Sequence, residues 1–194
     1  MAISTQACGA VILAGGASRR MGRSKALLCV EGQTMLERTR RCLSEFDEII
    51  LSANDPALAG NMIRVKDRYP GSGPLGGIHA ALCRTEKEAL FCVPCDLPRF
   101  SPKVPRLLLD AMPEDGTVLI CRDSTGRFHP LCGIYRKEVL PVLEQCLSEG
   151  RYKVMDLVRR VPHAWVDTAG VVPDETFFNM NTPEDYRRAC LNRE

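Results

Sequence analysis

The chain has 194 residues, 45% hydrophobic and 26% charged, enough apolar material to bury one sizeable core in a single domain spanning residues 1–194. A net charge of +2 and 6% aromatic content argue against nucleic-acid binding, so any grip on phosphate must come from a local cluster. The N-terminus lacks a basic start followed by a long apolar core, and no apolar run nears the roughly 20 residues that span a bilayer, so a soluble, cytoplasmic protein with no membrane partner and ten reduced cysteines is expected.

In chain order, Gly9–Leu13 is a β-branched apolar run that stops at Gly15-Gly16, the pattern of a buried strand. Thr34-Met35-Leu36-Glu37 is a capping box opening a helix to about Phe46. Glu48–Ser52 and Met62–Val65 read as strands, and Ile78, Ala81 and Leu82 predict a helix over Gly76–Arg84. Ala89–Val93 is a further strand, after which Ser101-Pro102 supplies the N-cap and first position of a helix through Met112. Thr117–Cys121 and Leu131–Tyr135 are strand-like, Lys137–Glu149 and Lys153–Arg160 helical, and His163 precedes a short strand. Thr182 caps a last helix, with Asp185 able to reach back to it. Strands alternating with helices predict an α/β fold of three layers, a mostly parallel sheet with helices on both faces. Ligands of such sheets bind outside the carboxyl ends of strands, where the winding reverses, so the loop after Leu13 is the first place to look.

That loop, Leu13-Ala14-Gly15-Gly16-Ala17-Ser18-Arg19-Arg20-Met21-Gly22-Arg23-Ser24-Lys25, puts four cations within seven residues and no acid among them. Its glycines let the backbone approach an anion closely, while Arg19, Arg20, Arg23 and Lys25 could neutralise a triphosphate and the charge that develops on its cleavage. A P-loop is excluded because no glycine sits directly before Lys25. Gly71-Ser72-Gly73-Pro74-Leu75-Gly76 matches a dinucleotide fingerprint literally but follows Arg68-Tyr69-Pro70 rather than a strand, and reads as a chance match to it. Cys92-Val93-Pro94-Cys95 ends a mid-chain strand, so packing is favoured over a redox pair, and two close cysteine pairs of a structural zinc site are lacking. Asp96, at the end of that strand, suits an Mg²⁺ ligand, with a turn or helix cap as the alternative. His129-Pro130 and Asn179-Met180-Asn181 are further polar clusters beside apolar runs, while His79 and His163 read as structural or exposed.

The loop resembles the signature of nucleotidyltransferases that activate sugars, alditols and cofactors. With Gly73-Pro74-Leu75-Gly76-Gly77-Ile78, Cys95-Asp96-Leu97-Pro98, His129-Pro130-Leu131 and Asn179-Met180-Asn181-Thr182-Pro183-Glu184, the chain resembles the molybdenum cofactor guanylyltransferase (MobA) family along nearly its whole length. The resemblance implies a Rossmann-like nucleotidyltransferase fold and transfer of GMP from GTP to molybdenum-bearing molybdopterin, giving the guanine dinucleotide cofactor and pyrophosphate. It implies GTP contacts from Leu13, Ala14, Gly15 and Gly16, phosphate contacts from Lys25, further nucleotide contacts from Asn54 and Asp67, and both GTP and Mg²⁺ at Asp96. Lys25, Asp96 and Arg19 make up the expected catalytic set, and Asn179 and Asn181 lie on the side of either the reacting phosphates or the pterin. Expected partners are GTP and molybdopterin, with transient contacts to proteins that deliver molybdopterin or mature molybdoenzymes. Two rivals are a cytidylyltransferase on the same pterin, disfavoured by Gly16 and Pro74-Leu75, and a non-catalytic nucleotide or cofactor carrier, disfavoured by Lys25 with Asp96.

Overall fold

The computed structural model describes residues 3–15 and 24–191. Its strands are β1 (Cys8–Leu13), β2 (Cys29–Val30), β3 (Gln33–Thr34), β4 (Ile49–Ser52), β5 (Ile63–Val65), β6 (Ala89–Pro94), β7 (Val118–Arg122), β8 (Phe128–Arg136) and β9 (His163–Asp167). The α-helices are α1 (Met35–Cys42), α2 (Pro74–Arg84), α3 (Lys103–Ala111), α4 (Leu140–Ser148), α5 (Val154–Val158) and α6 (Pro183–Leu191).

Seven strands form one sheet in the order β5-β4-β1-β6-β8-β7-β9, while β2 and β3 make a separate antiparallel pair. β1 runs parallel to both β4 and β6, β4 to β5, and β7 to β9. Only β8 opposes its neighbours, pairing antiparallel with β6 and β7. The sheet is therefore mostly parallel, as the alternation of elements predicts.

β1 explains why the layers form. All six of its residues are buried, and successive side chains of a strand point to opposite faces. Ala10 and Ile12 join the core beneath Leu36 of α1, Leu43 just past its end, and Val104 and Leu108 of α3. Val11 and Leu13 join the opposite core with Ile78 and Leu82 of α2, Leu143 of α4 and Leu157 of α5. Two apolar faces covered by helices give the three layers.

Most helices are shorter than their sequence patterns suggest, although α2 begins two residues early, at Pro74. The capping box holds, with Thr34 Oγ1 accepting from the Glu37 N–H (3.2 Å) and Glu37 Oε2 accepting from the Thr34 N–H (2.8 Å), but α1 ends at Cys42 and reaches Phe46 through turns. The N-cap of α3 is Pro102 and not Ser101, whose hydroxyl accepts from the Lys103 N–H at 3.3 Å from one residue farther out. Lys137–Val139 forms a 3₁₀ turn before α4, whose first turn contains Pro141 and so lacks that N–H. β8 extends beyond Leu131–Tyr135 at its N-terminal end to Phe128, taking in His129.

Gly133 sits in β8 opposite Cys92 of β6 and Ile120 of β7, where the register of β7 and β8 shifts. A Cβ there would lie 2.7 Å from the Leu119 carbonyl oxygen and 3.0 Å from an Ile120 methyl. Backbone on the near side cannot rotate away. Gly133→Ala should therefore lower stability by about 1–3 kcal/mol through overpacking, read by urea unfolding; an unchanged midpoint and slope would contradict this packing.

Candidate active site

β1 stops level with its neighbours, Leu13 lying opposite Ser52 of β4 and Pro94 of β6. The hydrogen bonding continues one residue past the strands, with the Ala14 N–H donating to the Ser52 carbonyl (2.8 Å) and the Cys95 N–H donating to the Leu13 carbonyl (3.1 Å). Strands wind outward from β1 through β4 to β5 and then resume on its other side with β6. This is the reversal at which a crevice opens in an open α/β sheet. A cavity of about 230 Å³ lies there, lined by Leu13, Ala14, Gly15, Lys25, Ser52, Asp67, Asp96 and Asn179 among others.

The N-terminal end of α2 forms one wall, through Gly73, Pro74 and Gly77. Gly73 precedes the helix with φ 62°, a conformation that favours glycine. A Cβ at Gly77 would meet Ser52 Oγ at 2.5 Å and a Leu13 methyl at 3.2 Å, so the glycine lets the helix lie close on β1 and β4. The Gly71–Gly76 segment is thus the lead-in to a helix whose positive dipole end faces the cavity, although no strand precedes it in the manner of a dinucleotide fingerprint.

Lys25 opens a short 3₁₀ turn, Lys25–Leu27, in which Ala26 is buried. Its Nζ lies 3.2 Å from Asp96 Oδ2 and 2.7 Å from Asn181 Oδ1. Asn181 comes into reach because of Met180, which is fully buried against Val30, Met35 and Ala189 and whose N–H donates to the Asp96 carbonyl at 2.9 Å. With Met180 anchored, Asn179 lines the cavity and Asn181 turns to Lys25. The segment is fixed from the other side by the start of α6. Asp185 Oδ2 accepts from the N–H groups of Asn181 (2.9 Å) and Thr182 (2.8 Å), while Thr182 Oγ1 accepts from the Asp185 N–H (3.1 Å). Those donors, the Asn181 N–H foremost, hold the Asp185 carboxyl below its usual range.

Asn54 and Asp67 are neighbours, the Asn54 side chain hydrogen-bonding the Asp67 carboxyl. Asp67 Oδ2 would be 3.9 Å from a Cβ on Gly15, which places it beside the loop after β1. Gly16 and Arg19, with Arg20 and Arg23, lie outside the described residues. Leu13, Ala14, Gly15, Lys25, Asp67, Asp96 and Asn179 share the cavity, Asn181 joins through Lys25, and Asn54 through Asp67. Ser52 and Met180 also shape the site, one as a wall and the other as an anchor. Ser52 was findable as the polar end of an apolar strand; the anchoring role of Met180 depends on α6 docking and has no local signal.

Cys92 and Cys95 are buried free thiols. Burial, reinforced by the Asp96 charge, pushes the Cys95 thiol up to about 12, and burial raises Cys92 as well. Thiols held protonated in this way suit packing rather than thiolate chemistry. His129 stacks on Phe177, with ring centroids 4.1 Å apart, and donates from Nε2 to Asp123 Oδ2 at 2.8 Å. Burial works to raise the Asp123 carboxyl, but donors from Thr125, His129 and the Arg127 N–H outweigh it and hold the carboxyl far below its usual range.

A family profile described as the MobA-like NTP transferase domain matches residues 10–165. A probable molybdenum cofactor guanylyltransferase of Carboxydothermus hydrogenoformans is 36% identical over 184 residues, covering 91% of this chain and 92% of that protein. Another so described, from Pelotomaculum thermopropionicum, is 37% identical over 191 residues, covering 95% and 92%. Among solved structures, molybdopterin-guanine dinucleotide biosynthesis protein A of Archaeoglobus fulgidus superposes with a TM-score of 0.80 at 24% identity, covering 94% of this chain and 96% of that one, a likeness of fold.

Burial raises the Asp67 carboxyl, against the lowering effect of the Asn54 hydrogen bond. A carboxyl raised in the folded state binds its proton more readily there than in the unfolded chain. Stability therefore falls as pH climbs from the unfolded value, about 3.9, through the folded one, and stays lower at neutral pH. Asp67→Asn should make the ligand-free chain more resistant to urea at neutral pH, with the gain vanishing below the unfolded value. A variant less stable than the parent at neutral pH would contradict a charge held at a desolvation cost.

Proposed function

The chain belongs to the MobA-like NTP transferase family, and we propose that it transfers GMP from GTP to molybdenum-bearing molybdopterin, forming molybdopterin guanine dinucleotide and pyrophosphate. One observation carries this reading: Lys25 Nζ bridges Asp96 and Asn181 beside a cavity at the ends of β1 and β6. A cation, a carboxylate and amide groups meet there against the positive end of α2, the set needed to hold a polyphosphate and a metal together.

The site chemistry fits Mg²⁺. Asp96 Oδ2 already accepts one cation, the Lys25 ammonium, and Asn181 Oδ1 offers a second hard oxygen nearby. Asp96 would hold the ion, which when bound supplies positive charge to the phosphates. Leu13, Ala14 and Gly15 present backbone to the nucleotide, while Asn54 and Asp67 act at the wall beside Gly15. Lys25 leaves its carboxylate for the phosphates of GTP as these enter. The terminal phosphate oxygen of molybdopterin forms a bond to the α-phosphorus, and the bond from that phosphorus to the bridging oxygen of the β-phosphate breaks, releasing pyrophosphate. Little covalent work falls to the protein; Lys25 and the α2 end position the reactants and stabilise charge. Arg19 belongs to this set by its place in the basic loop, and Asn179 and Asn181 guide the reacting phosphates or the pterin.

Among the described residues no helix is long and apolar enough to cross a membrane. We place the reaction in the cytoplasm, with transient contact to proteins that deliver the pterin or receive the product. The test compares pyrophosphate release from GTP, CTP and ATP with Mg²⁺, each with and without molybdopterin. Release from GTP that requires molybdopterin is expected. Preference for CTP would make the chain a cytidylyltransferase, and GTP binding without release would make it a carrier.

A further inference from the structure

A second cluster of ligand-type side chains lies on α2, beyond the half that lines the nucleotide cavity. His79 and Cys83 stand four residues apart on one face of the helix, and Glu144 faces them from α4. His79 Nε2 lies 3.2 Å from Glu144 Oε1, and Cys83 Sγ lies 3.5 Å from the same nitrogen. All three ligand atoms fall within 4.8 Å of one another.

Hydrogen bonding serves the two contacts of His79 unevenly. A neutral imidazole nitrogen carries either a hydrogen or a lone pair. If Nε2 donates to Glu144, the thiol sulfur shares that hydrogen only as a weak acceptor, and if Nε2 accepts from the thiol it turns a lone pair toward a carboxylate. A cation held between them would take a lone pair from each of the three atoms. The two contacts that His79 makes have the spacing of one. Zinc bonds of about 2.0–2.1 Å to nitrogen, 2.0–2.2 Å to oxygen and 2.3 Å to sulfur, set at the tetrahedral angle, put nitrogen about 3.3–3.5 Å from oxygen and about 3.5–3.6 Å from sulfur.

We propose that His79, Cys83 and Glu144 form a binding site for a borderline-soft divalent cation of the Zn²⁺ type, separate from the nucleotide cavity. The His79 ring is almost wholly buried and packs edge to face with Tyr69 at 5.2 Å, so its orientation is set before binding. Cys83 and Glu144 are exposed and give the ion its way in. Binding forms three metal–ligand bonds and breaks the Cys83 S–H bond, whose proton passes to solvent; nothing is oxidised or reduced. Three protein ligands leave a fourth position for water. His79 Nδ1 is buried with no hydrogen-bond partner among the described residues, so the site lacks the outer contact that usually strengthens a histidine ligand. The ion would tie α2 to α4. The sequence hides this site because its third ligand lies 65 residues from His79, far from any short-spacing motif.

Co²⁺ serves as the probe, titrated into the full-length chain without nucleotide. A thiolate-to-cobalt charge-transfer band with tetrahedral visible bands is expected, saturating at one equivalent and bleached by one equivalent of Zn²⁺. Cys83→Ala, at an exposed position, should abolish the charge-transfer band while leaving the metal-free thermal midpoint unchanged, and Glu144→Gln should weaken Co²⁺ binding at least tenfold. No such band in the parent chain, or a band that persists in Cys83→Ala from another thiol, would overturn the proposal. GTP turnover is not read, so this outcome stands apart from the nucleotidyl-transfer reading.

Discussion

β1 and β6 run side by side in the same direction and end together, Leu13 opposite Pro94, with β4 ending level on the other flank. Parallel strands that stop at one edge must release their chains there, whatever their separation in sequence. Ala14-Gly15 and Cys95-Asp96 therefore emerge side by side, and their first N–H groups stay tied to the neighbouring strands. The helix packed over the same strands, α2, brings its positive end to that edge because glycine at 77 permits the approach. Registry sets where Ala14, Gly15, Cys95 and Asp96 enter the cavity before any ligand arrives.

Lys25 and Asp96 make sense within that frame. Their side chains are about one-fifth exposed, at 21% and 20%, so this is neither a fully solvated pair nor a dry one. Such a contact contributes modestly to stability, whereas removing one partner leaves the other, partly desolvated, with less compensation than before. Its value is positional. The ammonium is parked within reach of the cavity and the Asp96 carboxyl lines the same space, so on the proposed function phosphate and metal would meet partners already in place.

Much of this was legible in the chain. The uniform apolar run of β1 and the glycines after it mark a buried strand feeding a loop, and the Thr34–Glu37 capping box announces its own helix. Asp96 is readable as a polar residue ending an apolar strand. Other features depend on contacts that local sequence does not encode. Strand direction leaves no trace in periodicity, so the reversal of β8 is invisible, as is the two-residue pairing of β2 with β3. β9 carries its largest side chain, Trp165, on the exposed side, the opposite of what an apolar pattern suggests. Met180 looks like any core methionine, yet its burial is what aims Asn179 and Asn181.

The central claim is that Lys25 grips phosphate throughout the reaction while Asp96 acts mainly through the metal, where charge builds on the leaving group. Calorimetric titration of GTP into Lys25→Ala and Asp96→Ala, with and without Mg²⁺, beside single-turnover rates with molybdopterin, separates the two roles. Lys25→Ala should weaken GTP binding and slow turnover together. Asp96→Ala should retain part of its GTP binding, lose the Mg²⁺ dependence of that binding, and lose on the order of 10²–10³ in rate or more. An Asp96→Ala chain that turns over at near-parental rate with unchanged Mg²⁺ dependence would contradict the account.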